Sequence, residues 1–148
     1  MSTPVELVIA GVLENLGEVQ SAVEAFAETE GLSSQSAYAL SLCLEELLTN
    51  IVMHGRPPED GQTQISISLA RKGEEVLVGI EDDGSAYDPT ATPDPDLDAL
   101  LEDRPIGGLG IHLVRSLALR FDYAHREGKN RVAIALPRKA GTAEDAAP

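Results

Sequence analysis

The chain of 148 residues has no tryptophan, few other aromatic residues and a single cysteine. Aromatic residues make up 3% of the sequence and hydrophobic residues 43%, so the core of one domain of this size must be mainly aliphatic. Cys43 has no second cysteine with which to form an internal disulfide. Its place on an apolar stripe predicts a small buried side chain in a reducing compartment.

Basic residues and long apolar runs are also scarce. The chain has 11 Lys and Arg against 25 Asp and Glu, a formal net charge of -14. This balance disfavours nucleic acid as a direct partner, because phosphates repel an acidic surface. The first residues lack a basic flank, and no run approaches about 20 apolar residues. We therefore expect no signal peptide, no membrane span and a cytoplasmic location.

Hydrophobic periodicity and turn residues predict the order strand, helix, helix, hairpin, long loop, helix, hairpin. Ser33 or Ser34 can cap the second helix, and Gly55 with Pro57 can end it. The expected elements are a strand at 5–11, helices at 16–31 and 33–55, strands at 63–73 and 74–84, a helix at 107–120, and strands at 121–128 and 130–137.

This order predicts an α+β fold, a two-layer α/β sandwich whose mixed, mostly antiparallel sheet is covered by helices on one face. The order disfavours a doubly wound architecture, because strands do not alternate regularly with helices. The segment 84–106, with four prolines, predicts a functional or mobile loop with one short helical turn at 96–103. We expect one domain over residues 1–138 and a disordered tail at 139–148.

The first candidate site lies in "LSLCLEELLTNIVMHG", residues 40–55. Glu46 and Asn50 are four residues apart, so they share a helix face at the border of the apolar stripe. A carboxylate there can accept a proton from a nucleophile, and an Asn oxygen is a suitable ligand for Mg²⁺. The alternative is a solvated helix edge without function.

The second candidate site is "IEDDGSAYDP", where Asp82 ends a strand and Gly84 allows a sharp turn. An Asp at a buried strand end can accept a hydrogen bond from an exocyclic amine, and Gly84 leaves room for a flat ring. The alternative is an ordinary Asp-Gly turn.

The third candidate site is "GGLGIHLVRS", in which Gly107, Gly108 and Gly110 open a helix. Free backbone N–H groups at the positive helix end can bind phosphate. The alternative is a flexible hinge into the helix. The segment does not follow a strand and lacks the Lys-Ser/Thr ending, so it is neither the dinucleotide fingerprint nor a P-loop. Together, the three sites supply what a Mg·ATP site needs.

The segments "EELLTNIVMHG", "IEDDGSAYDP" and "RPIGGLGIHLVRS" resemble the N, G1 and G2 boxes of the GHKL ATPases. Over about residues 5–138, the chain is most similar to the bacterial anti-sigma factor serine kinases of that group. The resemblance implies the Bergerat ATP-binding fold, with Glu46 as the general base for a serine hydroxyl and Asn50 as the Mg²⁺ ligand. Asp82 would accept from the adenine amine. The implied nucleotide-binding set is Asn50, Asp82, Gly84, Tyr87, Arg104, Gly107, Gly108, Leu109, Gly110 and Ile111.

The resemblance also makes residues 88–106 a lid over ATP, in which Arg104 contacts a phosphate or the partner, or else balances neighbouring acids. We expect Tyr87 to pack under this loop, His54 to pack or cap near the site, and Arg115 to form a surface salt bridge or reach a phosphate. Related ATPases often carry a Thr on the last strand. The strand "NRVAIALP" has none, and Asn130 precedes it.

The leading hypothesis is an anti-sigma factor with serine-protein kinase activity. It would phosphorylate a STAS-type antagonist protein and thereby control a sigma factor, and the family implies a homodimer. The alternative from another class is an ATP-dependent binding module without kinase activity. A catalytic fragment of a histidine kinase and an acidic sandwich without nucleotide complete the set of hypotheses.

Overall fold

The computed structural model describes residues 1–54, 63–91 and 108–139. It confirms the predicted order of elements, with most boundaries within two residues of the expected ones. The elements are β1 (Val5–Ala10), α1 (Leu16–Glu30), α2 (Ser34–His54), β2 (Gln64–Lys72), β3 (Glu75–Asp82), α3 (Gly108–Leu117), β4 (Arg120–Arg126) and β5 (Lys129–Pro137). Periodicity did not predict the short 3₁₀ turns at Leu13–Asn15 and Pro89–Ala91, because three residues carry no detectable period.

The five strands form one sheet in the order β1-β2-β3-β5-β4. All four pairings are antiparallel, so the expectation of a mixed sheet is wrong for the part of the chain that the structure describes. The described sheet has no parallel pair because of the position of β5. It lies between β3 and β4, and β4 therefore runs parallel to β3 without being its neighbour.

The two faces of the sheet differ in composition, and the helices cover one of them. Strand residues of the covered face, including Ile67, Val78 and Ile134, share one buried cluster with Val23, Leu44 and Val114 from the three helices. This cluster confirms the predicted aliphatic core, in which Phe26 is also buried. The other face is open and carries small or charged residues that include Ser66, Ser68, Gly79, Glu81, Arg131 and Ala133.

The junction between α1 and α2 positions the second helix over the sheet. Gly31 ends α1 in the left-handed conformation, with φ of 67°, which glycine adopts without steric cost. The hydroxyl of Ser33 then accepts a hydrogen bond from the backbone N–H of Ser36 at 3.1 Å. Ser33 is therefore the residue that caps α2, as one of the two predicted choices.

The helix α2 spans 21 residues, and by length and composition alone it could cross a membrane. The sequence predicted no membrane span, because no continuous apolar run in it is long enough. A core helix of a soluble protein meets the same criterion. Here one side of α2 packs in the core through Leu40, Cys43, Leu44, Leu47 and Leu48. Its apolar composition is thus explained by burial against the sheet.

Several expectations fall outside the described residues. These are the helix end at Gly55 and Pro57, most of the loop with its helical turn at 96–103, Arg104, Gly107, and the tail beyond residue 139.

Candidate active site

A pocket opens between α2 and the ends of β3 and β5. About 390 Å³ of space free of protein atoms lies within it and at its mouth, part of which is open solvent. Its walls are largely apolar, and its polar groups belong to the first two predicted segments and to the start of β5. The lining residues are Leu47, Asn50, Ile51, Ile80, Asp82, Ser85, Tyr87, Pro89, Asn130 and Val132.

Asp82 is the last residue of β3 and is 5% exposed. Its Oδ1 accepts hydrogen bonds from the backbone N–H of Gly84 at 2.9 Å and from Nδ2 of Asn130 at 3.0 Å. Burial raises the pKa of Asp82 above its ordinary value, and these two hydrogen bonds oppose the shift. The pocket therefore has a buried carboxylate in its wall, which can select a hydrogen-bond donor on a ligand.

Asn50 lies on α2 with 5% of its surface exposed, and its buried Nδ2 has no hydrogen-bond partner among the residues that the structure describes. A buried amide without a partner is unfavourable, so a polar ligand in the pocket would relieve a cost. Within residues 1–54, 63–91 and 108–139, there is no group of three or more His, Cys, Asp or Glu that could hold a metal. Mg²⁺ nevertheless suits this site, because it is often bound through one or two protein oxygens, its waters and substrate phosphates.

Glu46 lies one turn before Asn50 on α2, and its side chain is partly buried against α3. A β-carbon built on Gly110 would lie 2.5 Å from Cδ and 3.0 Å from Cγ of Glu46, and would overlap Oε2. Burial raises the pKa of Glu46, and the neighbouring charge of Glu45 adds to this effect. The raised pKa makes the Glu46 carboxylate a better proton acceptor than an exposed one.

The first residues of α3 are Gly108, Leu109 and Gly110. Their backbone N–H groups are among the four at a helix start that have no acceptor within the helix, and the helix dipole favours an anion there. The predicted phosphate site thus lies beside the carboxylate of Glu46. The side chain of Ile111 is 0% exposed and belongs to the core, so only its backbone is available to a nucleotide.

His54 and Tyr87 connect the end of α2 to the segment after β3. Their rings stack with centroids 5.8 Å apart and an interplanar angle of 16°. Tyr87 lines the pocket, and its backbone N–H donates to Oδ1 of Asn130 at 3.1 Å. The sequence predicted that both residues pack near the site, but it did not predict that they pack on each other.

Sequence reasoning left the role of Asn130 open and missed Thr90. The Asn130 side chain, at the start of β5, bonds directly to Asp82. The carbonyl of Thr90 accepts a hydrogen bond at 2.8 Å from Nη2 of Arg115, which connects α3 to the segment after β3. Neither contact has a signal in local sequence, because each joins residues at least 25 positions apart.

Residues 9–136 match the family model of the histidine kinase-like ATPase domain. The chain belongs to this ATPase family. A relative in Bordetella bronchiseptica, the serine/threonine-protein kinase BtrW, is 35% identical over 102 residues, which cover 69% of this chain and 71% of BtrW. Family membership, the use of ATP and the enzyme class of serine/threonine-protein kinase are thereby confirmed.

Solved structures agree with the fold of this ATPase. The RsbU and RsbW domains of Rv1364c from Mycobacterium tuberculosis superpose with a TM-score of 0.67 at 13% identity, over 92% of this chain. The chain spans only 32% of that protein. The histidine kinase domain from Erythrobacter litoralis EL346 gives a TM-score of 0.51 at 19% identity, over 84% of this chain and 59% of the other. At these identities the structures show the α+β fold alone.

Proposed function

We propose that this ATPase uses Mg·ATP to phosphorylate a serine of a small STAS-type antagonist protein, and that this reaction controls its sequestration of a sigma factor. It would act in the cytoplasm as a homodimer and regulate transcription through this exchange of partners. The observation that carries the proposal is the packing of the Glu46 carboxylate against Gly110, in the first turn of α3. It brings a proton acceptor next to a phosphate-binding helix start.

The pocket supports this proposal through the way it would hold ATP. Ile51 and Val132 line the pocket and would contact the adenine ring, whose amine would donate to the carboxylate of Asp82. The turn at Gly84 allows the ring to approach the backbone. The triphosphate then reaches the N–H groups of Gly108 to Gly110, where the helix dipole offsets its negative charge.

The buried carboxamide of Asn50 would hold the metal ion that accompanies the triphosphate. Its Nδ2 has no partner among the described residues and can donate to a phosphate oxygen, whereas Oδ1 is the atom that would ligate the metal. When bound, Mg²⁺ neutralises charge on the phosphate oxygens. His54, which the sequence placed beside Asn50, stacks on Tyr87 instead, so we assign it no metal.

In the transfer step, Glu46 accepts the proton of the substrate serine hydroxyl. The serine oxygen forms a bond to the γ-phosphorus, and the bond from that phosphorus to the β,γ-bridging oxygen breaks. Phosphoserine and ADP are the products, and the proton remains on Glu46 until it exchanges with solvent. Positioning and charge neutralisation account for most of the catalysis in such reactions.

The partner assignments are supported by family and by charge. The relative BtrW is a serine/threonine-protein kinase, and the structure from Mycobacterium tuberculosis contains an RsbW domain. The net charge of -14 favours a partner with a basic docking patch.

The first test is calorimetric titration of the purified protein with ATP, with and without Mg²⁺. We expect binding by the wild type, no measurable binding by Asp82→Asn, and a weakened dependence on Mg²⁺ in Asn50→Ala. If the wild type binds no ATP with or without Mg²⁺, the proposed kinase function is wrong.

The second test separates the kinase from a binding module that uses ATP without transferring phosphate. Transfer of labelled phosphate to candidate STAS-type proteins is measured for the wild type and for Glu46→Gln. The kinase predicts that Glu46→Gln binds ATP normally and transfers at least about 100-fold more slowly. If the wild type binds ATP and sequesters a sigma factor but transfers no phosphate, the binding module is the correct function.

A further inference from the structure

Asn130 lines the pocket beside Asp82. It is the second residue of β5, directly opposite Asp82 in the register of the β3–β5 pair. Only 3% of its surface is exposed. A neutral, polar side chain buried to this degree at a strand start must have its hydrogen bonds satisfied, so its partners decide its orientation.

The carboxamide of Asn130 has partners on both sides. Nδ2 lies within hydrogen-bond distance of Asp82 Oδ1 at 3.0 Å, the carbonyl of Ser85 at 2.8 Å and the carbonyl of Gly84 at 3.3 Å. Oδ1 accepts from the backbone N–H of Tyr87 and from the hydroxyl of Tyr123. If the amide were rotated by 180°, its oxygen would face the carbonyl oxygens and its NH₂ group would face the N–H of Tyr87. Both contacts are unfavourable, so these partners fix a single orientation.

This orientation determines which oxygen of Asp82 is available to a ligand. Both hydrogen bonds that the structure shows for Asp82, from Gly84 and from Asn130, end on Oδ1. The described residues give Oδ2 no donor. Oδ2 is therefore the acceptor that remains for a molecule in the pocket, and Asn130 holds the carboxylate plane in place.

We infer that Asn130 is a positioning residue that fixes the Asp82 carboxylate for a 6-amino purine and thereby sets the preference for adenine over a 6-oxo purine. The inference rests on the proposed function and deepens it, because it concerns the same pocket. An adenine amine donates to Oδ2. A 6-oxo purine presents an acceptor at that position, and two acceptors in a buried site repel each other.

A purely structural role for Asn130 predicts a different result. Asn130 also links the turn at residues 84–87 to β4 and β5, so its loss could loosen the whole pocket. A loosened pocket binds every nucleotide more weakly. Loss of positioning instead weakens the binding of adenine nucleotides specifically, because only their amine uses the fixed carboxylate. The ratio of two affinities therefore separates the two roles.

The experiment measures dissociation constants for ATP and for ITP, which has a 6-oxo base, by calorimetry with Mg²⁺. It compares the wild type with Asn130→Leu, which preserves the number and branching of the side-chain heavy atoms but removes the hydrogen bonds. Tyr123→Phe is the control, because it removes one donor to Oδ1 of Asn130 and leaves the bond to Asp82. If thermal unfolding shows that Asn130→Leu is not folded, Asn130→Ala takes its place.

We expect the wild type to bind ATP at least about tenfold more tightly than ITP. This is the ratio of affinities that corresponds to the loss of one hydrogen bond to a charged group. In Asn130→Leu this preference falls to about threefold or less, and in Tyr123→Phe it persists. An unchanged preference in the folded Asn130 variant, or a wild type that binds ATP and ITP equally, overturns the inference and leaves the kinase proposal intact. A wild type that binds neither nucleotide overturns both.

Discussion

The carboxylate of Glu46 occupies the space beside the α-carbon of Gly110 in which any other residue would carry its β-carbon. The added atom would come within 2.5 Å of Cδ and would overlap Oε2. A β-carbon at this position would therefore displace the flexible end of a side chain on another helix, whereas the backbone conformation of Gly110 does not itself call for glycine. The contact links the N-terminal end of α3 to the proposed catalytic base on α2.

Gly110→Ala should displace the Glu46 carboxylate and slow phosphate transfer. A misplacement of about 1 Å costs on the order of 100-fold in rate when geometry limits the reaction, so we expect a loss of that size. The measurement is the single-turnover rate of phosphate transfer at saturating ATP. Gly17→Ala is the matched control, because a β-carbon on this α1 glycine meets nothing within 4 Å. Equal rates in both variants would show that Glu46 need not lie against Gly110.

The transfer rate should depend on pH through the ionisation of Glu46. Only the carboxylate accepts a proton, so the rate rises with pH through a pKa that burial and Glu45 place above the ordinary value. Cys43 does not contribute, because its pKa of about 12 keeps it neutral in this range. Glu45→Gln removes the second cause, and the acidic limb of the pH–rate profile should move to lower pH. If the acidic limb stays at the same pH in Glu45→Gln, a group other than Glu46 controls the pH dependence of the rate.

Asp82→Asn should stabilise the folded protein while abolishing adenine binding. Burial raises the pKa of Asp82, so its contribution to stability is present below the unfolded pKa and is lost as pH rises through the folded pKa. At neutral pH the buried charge is therefore destabilising, whereas the carboxamide of the variant remains neutral. We expect a gain of roughly 1 kcal/mol at pH 7, which corresponds to about 2–4 °C in Tm.

The pH dependence of that gain is the check on its cause. Thermal unfolding of the wild type and Asp82→Asn is followed from pH 7 down to pH 4. The difference in Tm should shrink as Asp82 becomes protonated in the wild type. A difference that is constant with pH would mean that packing, and not charge, distinguishes the two side chains.

The stacking of Tyr87 on His54 should stabilise the connection between α2 and the segment after β3. A double-mutant cycle with Tyr87→Leu and His54→Ala measures it directly from free energies of unfolding. We expect a coupling energy of about 0.5–1.5 kcal/mol, as for other aromatic pairs. If the two substitutions are additive, the stack contributes nothing to stability. Calorimetry on Tyr87→Leu then shows separately how far the Tyr87 side chain supports ATP binding.

Local sequence predicted the secondary structure of this protein well, for physical reasons that particular elements illustrate. The strand β2 alternates apolar Ile65, Ile67 and Leu69 with Ser66 and Ser68, and the structure buries the first three. Gly31 predicted the end of α1 because a left-handed residue there favours glycine. Spacing on α2 likewise predicted that Glu46 and Asn50 share the edge of the core.

The sequence alone determined the helices and strands, the two hairpins, the aliphatic core and the three candidate segments, because each depends on periodicity or on residues close in the chain. Only the tertiary structure decided that β1 pairs with β2 and that β5 lies between β3 and β4, and with it the bond between Asp82 and Asn130, which are 48 positions apart. It also decided that Glu46 packs on Gly110. Such contacts depend on how separate elements pack in three dimensions, and no local pattern of residues encodes that geometry.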